Sequence, residues 1–141
     1  MERTLRSMVR HRKNLVRTSA TYINRMQKAL ELMNIKLHTI ISDIDGKTGL
    51  LIIEAILAGE RDPEILTDLR DKRIKASRED VIKSLEGHWT TEHLFELRQC
   101  YQLYCQHRQM RERERVVALI STIIRSITLF LQAHCQPTQN K

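Results

Sequence analysis

From Val9 onward, apolar side chains recur at alternating steps of three and four residues, and no proline or glycine interrupts them before Gly46. Val9, Val16, Ile23, Met26, Leu30, Met33, Leu37 and Ile40 occupy this register, and Arg12 and Ser19 fill the two remaining slots. A 3–4 repeat sustained over more than four heptads is the pattern of a coiled-coil seam, because it keeps one stripe of a helix facing a partner. At about 1.5 Å per residue, a helix from roughly 4 to 41 extends about 55 Å. A chain of 141 residues cannot bury such a rod, so it must pair lengthwise with another element.

Aromatics at 4%, four glycines and two prolines leave little material for sheets and their turns, and favour long helices. The mate for the first helix lies at the other end of the chain. Thr90 or Thr91 can cap a helix that continues through 92–115, with Leu94, Leu97, Tyr101 and Tyr104 as its seam. The same register then meets Arg108, Arg111 and Arg115. An apolar stripe returns one residue out of phase at Val117, Ile120, Ile124, Ile127 and Leu131, with Leu119, Ile123 and Leu129 on other faces. Between the long helices, Gly46 can close the first one and Thr48 can cap a second that ends at Gly59. Asp62-Pro63 starts another, and Ser77 begins a capping box for a third that Gly87 stops. The expectation is an all-α fold: a long antiparallel helical hairpin, a coiled-coil stalk whose tip carries about three short helices. Its parts are a basic helix (1–41), a tip (42–91), a return helix (92–115) and a divergent apolar tail (116–141).

The net charge is +7, and residues 1–30 carry all of that excess, with eight basic residues against Glu2. Concentrated positive charge attracts phosphate backbones through counterion release, although a solvated helix face is also rich in charge. Candidate nucleic-acid contacts on this segment are Arg10, Arg12, Lys13, Arg17, Arg25 and Lys28. Lys72, Arg73 and Lys75 form a second basic knot at the tip, partly neutralised by Asp68 and Asp71.

Other chemistry fails on spacing. "ISDIDGKTG" (41–49) offers an Asp pair and a Gly-Lys-Thr, but a Walker A loop needs glycine where Ile41 stands. A Ca²⁺ loop starting at Asp43 would put Lys47 and Thr48 where an oxygen ligand and a glycine are required. An aspartate-nucleophile phosphatase loop would need a strand before Asp43, where the helical period runs instead. The stretch therefore reads as a turn between helices. His88, His93, Cys100, Cys105 and His107 lack zinc spacing, and no Ser-His-Asp or Cys-His set can be assembled. No catalytic residue, metal site, cofactor or small-molecule substrate is expected. Three cysteines and no apolar leader at the N-terminus point to a cytoplasmic protein. The apolar run 116–131 is short for a membrane span and broken by Arg125, so no membrane partner is expected.

Residues 6–110 resemble the middle of a family of bacterial insertion-sequence transposases, the Piv-like, RNA-guided recombinases with an N-terminal DEDD, RuvC-like domain and a C-terminal serine transposase domain. The resemblance rests on "LVR" (15–17), "RMQKALELMNIKLHTIISDIDGKTGLLIIEAILAGERDP" (25–63), "LRDKRIKAS" (69–77), "LEGHW" (85–89) and "EHLFELRQCYQLY" (92–104). It implies a coiled-coil bridge between the two catalytic domains, helping to hold guide RNA or transposon DNA and the protomers together. The family's four carboxylates, its Mg²⁺ and its serine have no counterpart in these residues. The resemblance fades after Met110, as in a frame-shifted tail. The expected function is thus that of a truncated transposase fragment. The alternative is a helical interaction protein, a homo-oligomer or a modulator of a full-length transposase, joined through the Val9–Ile40 seam and the apolar tail.

Overall fold

The computed structural model describes residues 2–134, and its fold is all-α. Helix α1 (Glu2–Leu32) and helix α5 (Thr91–His134) lie against one another as a hairpin. They run antiparallel: His11 contacts Glu114 at 3.3 Å, and the rings of Tyr22 and His107 sit 5.4 Å apart. At the closed end are a 3₁₀ turn (Leu37–Thr39) and three short helices, α2 (Lys47–Ala58), α3 (Pro63–Asp68) and α4 (Arg78–Leu85).

The first helix stops nine residues short of its expected end at 41. Asn34 takes the left-handed conformation at φ 59°. The Ile35 N–H then reaches back to the Leu30 carbonyl (2.9 Å) and the Asn34 N–H to that of Glu31 (2.9 Å), which is a Schellman closure. Leu30 and Ile35, both fully buried, supply the apolar contact that accompanies such a cap. The seam therefore leaves the helix at Met33. Leu37 is still buried, but a 3₁₀ turn places it, and Ile40 is only partly covered.

Two other local expectations are corrected. Gly46 is not a left-handed terminator: it is extended (φ −70°, ψ 170°) and caps the start of α2. Thr48 lies inside α2 instead of capping it, with its buried hydroxyl accepting the Asp71 N–H at 3.2 Å. Gly49 has the strictest requirement, since an added Cβ would sit 2.1 Å from the Ile44 carbonyl oxygen. Gly59 ends α2 at φ 111°, as its placement in the sequence suggests. Asp62 accepts the Glu64 N–H (2.9 Å) with Pro63 in the first turn of α3, and Ser77 accepts the Asp80 N–H (3.2 Å) to start α4. α4 itself closes at Leu85. Gly87 lets the following chain pass within 2.5 Å, measured from a notional Cβ, of the Ile35 side chain.

The core sits wholly at this closed end. Met26, Leu30 and Met33 of α1 meet Ile52, Ile53 and Ile56 of α2, Leu66 of α3, Val81 and Leu85 of α4, and Leu97 of α5. Tyr101 donates a hydrogen bond to Glu54, and Arg98 donates to the Leu57 carbonyl at 2.9 Å, fastening α2 to α5. Trp89 packs against the core with the Arg61 guanidinium 4.5 Å from its ring centre, while Arg61 donates to the Ile56 and Glu60 carbonyls. Trp89 thus joins the chain before α5 to the end of α2.

Toward the open end the seam thins out. Leu15 and Ser19 are the last buried residues of α1, whereas Val9 and Val16 are about half exposed. α5 does not break where its stripe changes phase: it continues as one helix to His134. The molecule is a packed head (19–107) with a projecting two-helix arm.

Candidate nucleic-acid interface

Helical geometry sorts the cations of α1 into two groups. At about 100° per residue, Arg3, Arg6, Arg10, Lys13 and Arg17 follow the 3–4 repeat along one face and Lys28 shares it, whereas Arg25 lies on the flank, near enough to α5 to act on the Cys100 thiol. The shared face is opposite the one defined by Leu15, Ser19, Met26, Ala29 and Met33, which is buried against α5 and the head. The charges are therefore directed outward because the seam takes the other face. Each of these cations is exposed.

Arg12 belongs to the second group. It occupies a seam slot, so it points across the hairpin and meets the arginines that interrupt the stripe of α5. Arg12, Arg108, Arg111 and Arg115 line a cleft of about 420 Å³ with Val16 and Glu112. Glu112 reaches Arg115 at 3.6 Å and is the one carboxylate in the lining. The Nε of Arg111 is buried and has no hydrogen-bond partner. Guanidiniums carry their charge at any ordinary pH and bind phosphates through paired N–H donors. Four of them around one cleft repel one another, and an anion in the cleft would relieve that repulsion.

Arg108, Arg111 and Arg115 were legible in the sequence only as an interruption of the seam. The signal that identifies them as a site is that Arg12 occupies the equivalent seam position on the facing helix.

The tip cations are not part of this surface. Lys72 is exposed, and Arg73 and Lys75 line a separate open groove of about 920 Å³ with residues of the 39–49 segment. Asp43 and Asp71 share that groove, and the Arg73 N–H is held by Asp71 at 2.9 Å. The "ISDIDGKTG" stretch forms one wall as a structural turn. Ile41 and Ile44 are buried, and Tyr104 donates to Asp45 at 3.4 Å.

Burial, then Glu96, pushes the Cys100 thiol above its usual range, so it stays protonated. Burial also raises Tyr104, with Asp45 adding to the effect, and raises Tyr101, whose hydroxyl donates to Glu54. Among the described residues, no three His, Cys, Asp or Glu side chains converge on a point that could hold a metal ion.

No protein-family model, no curated protein and no solved structure matches this chain.

Proposed function

We propose that this chain is a nucleic-acid-binding helical bridge of the transposase type described above. One observation carries the reading: Arg12, Arg108, Arg111 and Arg115 line one cleft between the two arm helices, with one carboxylate among them. Backbone phosphate is the ligand class whose charge and geometry suit such a cluster. The outward stripe from Arg3 to Arg17 extends the same sign of field along the arm, so a strand held in the cleft can also be tracked electrostatically. The tip knot of Lys72, Arg73 and Lys75 is a secondary contact. Guide RNA or transposon DNA fits this chemistry, and the cytoplasm is the compartment in which they would meet.

The test is binding to a single-stranded RNA and a DNA duplex across a salt series. Affinity should fall as salt rises, with a log–log slope of roughly −0.7 to −0.9 per phosphate neutralised. Replacing Arg12, Arg108 and Arg111 by Ala should flatten that slope by about two or more. Replacing Lys72, Arg73 and Lys75 should change it less. Absent binding at about 50 mM salt, or binding that salt does not weaken, sinks the proposal.

A further inference from the structure

From Val116 to Leu131, helix α5 carries ten large apolar side chains, each 49–62% exposed. At about 100° per residue, nine of them fall within one arc of roughly 160°. These are Val116, Val117, Leu119, Ile120, Ile123, Ile124, Ile127, Phe130 and Leu131; Leu129 alone lies outside. The opposite arc holds Ala118, Ser121, Thr122, Arg125, Ser126, Thr128 and Gln132. The tail is therefore two-faced, not apolar on every side. Its polar arc continues the line of Arg111 and Glu114, the latter in contact with His11 of α1. Val117, at the edge of the apolar arc, shares an open groove with Leu5, Met8 and Val9 of α1, and the rest of the arc lies on the side of α5 turned away from α1.

We propose that this face is covered by a second copy of the chain, docked antiparallel about Ile123–Ile124. Val117, Ile120, Ile124, Ile127 and Leu131 keep a strict 3–4 repeat of mostly β-branched residues, the pattern that interlocks knobs with holes. Pairing two such faces would bury on the order of 1,200–1,500 Å², the size of a standard stable interface. A bilayer fits less well. An 18-residue window of α5 is apolar enough to cross one, but Arg125 falls near its middle, where a charge is costly. A helix lying on a lipid surface uses a polar face rich in lysine and arginine, whereas here that face is mostly hydroxyls. Charge sets the direction. Parallel docking would lay two basic arms side by side, each holding the excess of a +7 chain, and antiparallel docking carries them to opposite ends.

Sedimentation equilibrium of the full chain over a concentration series should show a monomer–dimer equilibrium. Ile120→Asp with Ile127→Asp should weaken it by about 100-fold or more, since a charge then faces an apolar seam. Ser121→Asp with Thr128→Asp, equal in charge on the other face, should change it by less than about three-fold. All four sites are exposed, so Trp89 fluorescence and the unfolding midpoint of the head report that every variant folds. A monomer at every concentration overturns the proposal, as does an equal loss in both pairs. Vesicles of phosphatidylcholine and phosphatidylserine that sediment with the chain, and release the Ile pair alone, would assign the face to lipid and overturn it too. Dimer affinity that rises more than about ten-fold between 50 and 500 mM salt would reverse the orientation.

Discussion

The head and the arm are built from the same two helices yet held by different physics. In the head, α1 and α5 contribute one face each to a core closed by α2, α3 and α4, and Met26, Leu30, Met33 and Leu97 are fully buried. In the arm the same helices lose that third layer. Val9 and Val16 remain half exposed, arginines replace the α5 stripe, and most of the apolar residues beyond them turn to the far side of the helix. Two helices alone bury little, and most helix stability in proteins comes from packing an apolar face, not from propensity. The head thus has a layered core of its own, while the arm leaves its charged and apolar faces exposed.

Paired truncations break this comparison most sharply. Ile53 is fully buried in the head, so Ile53→Ala should cost about 2–5 kcal/mol of unfolding free energy by removing methyl groups the core cannot refill. Ile123→Ala removes the same atoms from an exposed face and should stay within about 0.5 kcal/mol in dilute solution. Denaturant unfolding followed by Trp89 fluorescence measures both. Similar losses at the two positions would mean that the arm is packed into the head's cooperative unit.

How much of this was readable in the sequence also divides along the head and the arm. The hairpin and its tip follow from periodicity and from strong punctuation at Gly59, Asp62-Pro63 and Ser77. The seam caught Met26, Leu30, Met33 and Leu37, all buried in the head, but it also took in Ile23 and Ile40, which are only partly covered. It was wrong about where the helix stops, because apolar spacing persists through Leu37 while the backbone turns at Asn34. Periodicity reports which side chains are buried, and a 3₁₀ turn can bury Leu37 as well as a helix can. The correction at Thr48 depends on a tertiary approach, to the Asp71 N–H, that no local pattern encodes. In the arm the phase shift was visible, but its meaning was not. Only the position of α1 shows that the shift moves the apolar stripe off the hairpin seam, and only α5 reveals Arg12 as one member of a cleft.

A smaller change sharpens the boundary of the head at Asn34. Its φ of 59° is a conformation that glycine adopts without cost and alanine resists. Asn34→Gly should be neutral or stabilising by a few tenths of a kcal/mol, and Asn34→Ala should cost about 1 kcal/mol. Thermal unfolding with far-UV circular dichroism decides it. If alanine is tolerated because α1 extends through 35 and beyond, the helix content of Asn34→Ala rises without loss of stability, and the Schellman closure is not what ends the helix.

The smallest expected effect is a pH dependence confined to the head. The hydroxyl protons of Tyr101 and Tyr104 are held more tightly in the folded chain than in the unfolded one, chiefly because both are partly buried and secondarily because they meet Glu54 and Asp45. A group whose folded pKa is raised adds stability below its unfolded value, about 10 for tyrosine, and loses it as pH climbs through the folded value. Between pH 7 and 9 these two side chains should leave the unfolding midpoint of the head unchanged. Above about pH 10 the midpoint should fall, and Tyr101→Phe together with Tyr104→Phe should make that fall shallower. Neither tyrosine lies in the arm, so hydrogen exchange at residues 8–16 should not follow the same pH profile once its intrinsic base catalysis is removed. If it does follow, the arm opens and closes with the head, and the division of the molecule into a layered core and an exposed pair of helices fails.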